Sequence, residues 1–118
     1  MRRFEDLRVW QEARLLARDV TVLARAMRDD AGLGNQMRRA AISVAANIAE
    51  GCDRGSDADF RRFLVMARGS CGELRSHLLL AMDVTVCTDV RGAPLVARCD
   101  RLGRMLSAFI DWAARCRS

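Results

Sequence analysis

The chain has 118 residues, of which 51% are hydrophobic and 30% charged. That is enough length to bury a real core, and the composition is that of a globular chain, not a disordered one. Twenty basic residues against 15 acidic ones leave a net charge of +5, a balance that favours an anionic partner over a cationic one.

With one proline, no tyrosine and an excess of Ala, Leu, Met and Arg, the composition favours helix. The first element is expected over roughly 6–28. Trp10, Ala13, Ala17, Val20, Ala24 and Met27 recur at steps of three and four, with Leu16 and Leu23 on the shoulder of that seam and Asp6 as a plausible cap. The run 29–34 breaks the pattern. A second helix is expected over 35–51, with Asn35 as cap, Met37, Ala41, Val44 and Ile48 on one face and Gly51 as its stop. The third spans 57–84. Asp57 and Asp59 sit in its first turn, and Phe60, Phe63, Leu64, Ala67, Cys71, Leu74, Leu78 and Ala81 line its apolar face. The fourth is expected over 93–116, with Pro94 in its first turn and Leu95, Cys99, Leu102, Leu106, Phe109 and Ala113 as its seam. No strand-period run and no repeat is visible. Residues 1–118 therefore read as one all-α domain, an antiparallel up-down-up-down four-helix bundle. Its core is expected to hold Trp10, Val20, Met37, Val44, Ile48, Phe60, Leu64, Leu74, Leu102 and Leu106.

Some apolar residues point away from these seams. Leu15 and Val22 are seven apart on helix one, and Val65, Gly72 and Leu79 are seven apart on helix three. Two such repeats on the wrong face predict a second packing surface and hence self-association.

All 20 basic residues are arginine. Arginine keeps its charge at ordinary pH and pairs bidentately with phosphate or carboxylate, so nucleic acid is the first partner to consider. A GC-rich coding bias explains the choice of arginine over lysine but not the positive excess. Arg61, Arg68 and Arg75 lie seven apart on helix three, and Arg14, Arg18 and Arg25 lie along one flank of helix one. Each row could hold a phosphate backbone with little sequence preference.

Catalytic and metal signatures are missing. The one histidine, His77, follows Glu73 by four, which is not the Glu-x-x-His spacing of di-metal bundles, and it occurs once. Gly69-Ser70-Cys71-Gly72 is not Gly-x-Ser-x-Gly and lies mid-helix. The five cysteines at 52, 71, 87, 99 and 116 are odd in number and lack a CxxC, so neither a disulfide framework nor a zinc site fits. A reducing, cytoplasmic setting follows from them. Glu5, Asp6 and Glu12 speak against a signal peptide, and the apolar run 40–49 is too short to span a bilayer. No enzyme activity and no cofactor are expected. One polar group stands out: Arg39, Asn47, Glu50 and Arg54, with Glu73 nearby on helix three, are expected to form a hydrogen-bonded network around the turn between helices two and three.

Several blocks recur in a recognisable order. Phe4-x-x-Leu7-x-Val9-Trp10 comes first, then Gln36-Met37-Arg38-Arg39-Ala40-Ala41-Ile42-Ser43-Val44, then Asn47-Ile48-Ala49-Glu50-Gly51. Phe60-x-x-Phe63-Leu64, Ala67-x-Gly69-Ser70, Glu73-Leu74 and Leu102-Gly103-x-Met105-Leu106 follow. This order resembles the four-helix-bundle family encoded in intervening sequences of bacterial 23S ribosomal RNA genes, over nearly the whole chain. More distantly it resembles the accessory proteins of diversity-generating retroelements. The resemblance implies a four-helix bundle, often a homopentameric ring, and no enzymatic activity. The retroelement likeness implies binding to RNA or DNA and to a reverse transcriptase. Two functions follow as expectations: an oligomeric nucleic-acid-binding accessory, or a structural or protein-interaction scaffold with no nucleic-acid role.

Overall fold

A computed structural model describes residues 3–28 and 32–115. A short 3-10 turn, Phe4–Asp6, leads into four helices: α1 Arg8–Ala26, α2 Leu33–Asp53, α3 Asp57–Asp83 and α4 Asp89–Arg115. Each packs on its neighbour in sequence and α1 closes on α4, while α1–α3 and α2–α4 are diagonals without close backbone approach. This is an all-α, antiparallel four-helix bundle. A 27-residue helix rises about 40 Å, which accounts for most of the 48 Å long axis.

α3 has the register that its apolar spacing demands. All eight residues of its expected face are buried, and Ser56 caps it by accepting the Asp59 amide at 3.1 Å. Of the expected core, every member is buried except Trp10. The buried line of α1 is Val9, Ala13, Leu16, Val20 and Leu23, so the seam is rotated toward the leucines expected on its shoulder. Trp10 lies on the rim, edge-on to Phe4 at 5.1 Å, with the Arg14 guanidinium over its ring. Leucine at the centre removes more apolar surface than alanine, and indole tolerates a half-wet position. On α4, Ile110 takes the inward place expected for Phe109, which instead stands edge-on to Phe60.

The helix ends depart further from expectation. Asp6 belongs to the 3-10 turn, and Leu7 occupies the cap of α1 with no side-chain bond. α2 starts after Gly32, which holds a left-handed φ of 79°, and Asn35 lies inside the helix, where its Oδ1 accepts from Arg38 at 2.9 Å. Gly51 does not stop α2. It is buried against α3, where a Cβ would come 2.6 Å from that of Phe63. α4 begins four residues before 93 because Thr88 caps it: its carbonyl accepts the amides of Arg91 and Gly92, and its Oγ1 also accepts from Arg91. Pro94 consequently lies in the second turn. The carbonyl it cannot serve belongs to Val90, a residue 85% exposed, where water can take the bond. The expected end of this helix at 116, Cys116 and residues 29–31 of the expected loop 29–34 lie outside the described residues.

Candidate nucleic-acid interface

The arginine rows and the leftover apolar residues are one feature on each helix. On α3, Arg61, Val65, Arg68, Gly72, Arg75 and Leu79 follow at steps of four and three, which is a single heptad strip. All six are exposed. On α1, Leu15, Arg18, Val22 and Arg25 repeat the pattern and are exposed likewise, with Arg14 beside them. The two strips belong to diagonal helices. Both signals were present in the sequence; that they share a strip follows from adding the two spacings together.

The six arginines differ in how free their charge is. Arg18 pairs with Asp19 at 2.9 Å, and Asp19 also accepts from Arg98 of α4 at 2.6 Å. Those two bonds, Arg18 first, hold the Asp19 carboxyl below the usual range. Arg75 crosses to Asp100 of α4 at 2.6 Å. Arg68 donates to the neutral Ser107 hydroxyl at 3.2 Å. Arg14, Arg25 and Arg61 make no ion pair among the described residues.

Beside the α3 strip, between α3 and α4, runs a groove of about 480 Å³. Its walls carry Arg68, Gly72 and Arg75 from α3 and Asp100, Gly103 and Arg104 from α4. The buried thiols of Cys71 and Cys99 form its floor. Cys71 donates to the Cys99 carbonyl at 3.3 Å. The Cys99 thiol is pushed far above its ordinary range, first by the neighbouring Cys71 thiol and then by burial. Arg104 and the groove itself escaped sequence reasoning, because which arginines on α4 face α3 depends on how the two helices are rotated.

The family model for the 23S rRNA-intervening sequence protein matches residues 5–108. The chain belongs to that family. A crystal structure of a protein of unknown function from the S23 ribosomal protein family of Bacteroides thetaiotaomicron is similar, with a TM-score of 0.81 at 21% identity, over 86% of this chain and 97% of that one. At that identity the likeness concerns the fold. No curated protein matches the chain.

The polar cluster expected around the α2–α3 turn is not one network. Glu50 pairs with Arg54 at 2.9 Å on the surface. Asn47 turns the other way and donates to the Ser43 carbonyl at 2.9 Å and to its hydroxyl at 3.1 Å. Ser43 then meets Ser70 of α3 at 2.8 Å. Arg39 and Glu73 are exposed and join neither group among the described residues. The reason is geometric: four residues along α2 bring Glu50 over Arg54, whereas Asn47 looks across a half-buried helix contact. Ser70→Ala is therefore expected to cost about 0.5–1.5 kcal/mol in urea unfolding. Glu50→Ala, which removes an exposed pair, should stay within about 0.5 kcal/mol of the parent. Equal losses in the two variants would restore the single network.

His77 is half-buried, and its Nε2 is enclosed without a hydrogen-bond partner. Among the described residues no three of His, Cys, Asp and Glu gather to hold a metal ion, and no helix is long and apolar enough to cross a membrane.

Proposed function

We propose that this protein is a non-enzymatic, self-associating bundle that binds the phosphate backbone of RNA. The observation that carries the reading is the pair of outward strips, each alternating apolar residues with arginines. Leu15 and Val22 on α1 are 40% and 52% exposed, and Val65 and Leu79 on α3 are each 37% exposed. Exposed apolar residues in heptad register suit a contact between subunits. A head-to-tail contact in which Leu15 and Val22 of one copy approach Val65 and Leu79 of the next from the side away from α4 closes into a ring, with five copies as the expected number, and leaves the α3–α4 groove open. Such a contact sets Arg25 near Arg61, neither of which has an ion pair among the described residues, and like charges so placed repel. A polyanion at the boundary relieves that repulsion, so assembly and RNA binding support each other. The scaffold reading rests on the same apolar residues and differs in leaving the arginines to solvent.

Light scattering and an RNA titration test the proposal. At micromolar concentration the mass is expected to be several times that of one chain, and Leu15→Arg should reduce it. Structured RNA should bind with an affinity that falls steeply with salt, and the Arg61/Arg68/Arg75 triple alanine variant should bind more weakly at every salt concentration. A monomeric mass would sink the assembly, and absence of binding at low salt would leave the scaffold.

A further inference from the structure

Five glycines within helices divide sharply by what a Cβ would meet. At Gly51 a Cβ would meet the Phe63 Cβ at 2.6 Å, so the chain's own packing demands glycine there, and at Gly92 it would meet the Met82 sulfur at 2.7 Å, which would have to shift. At Gly69, Gly72 and Gly103 nothing lies within 4 Å. Glycine inside a helix costs about 0.5–1 kcal/mol relative to alanine, and at these three positions nothing in the chain requires it. Two of the three, Gly72 and Gly103, face each other across the α3–α4 groove. The bare walls let something outside the chain approach the helix backbones.

The charges around the groove say what that is. Three arginines, Arg68, Arg75 and Arg104, line it, against the single carboxylate of Asp100. Asp100 is already held by Arg75 at 2.6 Å. Arg68 bonds only a neutral hydroxyl, that of Ser107, and Arg104 makes no ion pair among the described residues. Two guanidinium groups thus flank the groove with their charge unspent, and Ser107 adds a hydroxyl that can donate. Guanidinium forks and a hydroxyl above an open backbone suit phosphate oxygens.

We infer that the α3–α4 groove is a phosphodiester-binding channel, in which Arg68 and Arg104 clasp consecutive phosphates and Gly72 and Gly103 let the strand settle between them. The inference rests on the RNA-binding reading and assigns its principal site. It adds Arg104 and the two glycines to the functional residues, and it makes Arg75 a positioning residue, tied to Asp100 so that the two helices keep their spacing.

Fluorescence anisotropy with a short duplex RNA, over a range of salt concentrations, tests this on the full chain. The Arg68→Ala/Arg104→Ala variant is expected to bind at least about tenfold more weakly at low salt. The slope of log affinity against log salt should fall by about two. Gly103→Leu keeps every charge, and apart from its own helix backbone nothing lies within 4 Å of where its Cβ would stand. It should fill the channel and lose binding while its melting temperature holds or rises. Parent-like binding by either variant overturns the channel. If parent-like binding there accompanies weakening in Arg14→Ala/Arg25→Ala, RNA binding stands and its site is elsewhere. A drop in oligomer mass for Gly103→Leu would also overturn the channel, because the groove would then seat a second copy. No binding by the parent protein would remove the RNA reading itself.

Discussion

Leu74→Ala is expected to lower the unfolding free energy by about 2–5 kcal/mol. Leu74 is fully buried in the middle of α3, the helix that touches both α2 and α4. Truncation removes apolar area from the core and leaves a cavity whose lining includes long helices. These can collapse onto it only if they shift together. For a chain of this size a loss of 2 kcal/mol should lower the melting temperature by roughly 8 °C. Urea unfolding checks it: the midpoint should fall while the slope stays constant. A loss below about 1 kcal/mol would mean that the bundle repacks freely around α3. Leu79→Ala provides the contrast. Leu79 is 37% exposed, so in dilute monomer its removal should matter little. An effect that grows with protein concentration would place it at a subunit boundary.

Gly51→Ala is expected to destabilise by about 1–3 kcal/mol, although alanine is the better helix former. The new Cβ would lie 2.6 Å from the Phe63 Cβ and 3.3 Å from the Phe60 carbonyl. Neither atom is the free end of a side chain, so no rotamer change relieves the contact and α2 must move away from α3. Ser43 and Ser70, which bridge the same helix pair, would be drawn apart with them. Gly69→Ala is the matched control: its Cβ meets nothing, and the helix should gain about 0.5–1 kcal/mol. Thermal unfolding of the two variants should therefore move in opposite directions. A Gly51→Ala variant as stable as the parent would show that the α2–α3 approach has slack.

The polar residues illustrate why site reasoning from sequence stops short. Asn47 and Glu50 are three apart in one helix, and from spacing alone they share a neighbourhood. In the bundle one bonds toward Ser43 and Ser70 and the other pairs with Arg54 at the surface. Arg39, drawn into the same group by its position near the start of α2, meets neither. The arginine strips are the opposite case. Their heptad spacing was legible, yet the partners of each guanidinium were not. Arg75 finds its carboxylate 25 residues away and Arg98 finds one 79 residues away.

By itself the sequence determined the number of helices, their antiparallel order and the whole buried face of α3. Those depend on periodicity and on short connections, both of which are local. It also determined the family, since the motif blocks are contiguous in the chain. Tertiary structure decided the rotation of α1 that brings Leu16 and Leu23 inward and the role of Gly51 as a contact instead of a stop. It also decided which arginines and glycines face one another across α3 and α4. Each of these depends on what stands opposite a residue on another helix. Helical spacing places a side chain on a face of its own helix to within a few tens of degrees, but the groove exists only where two helices meet.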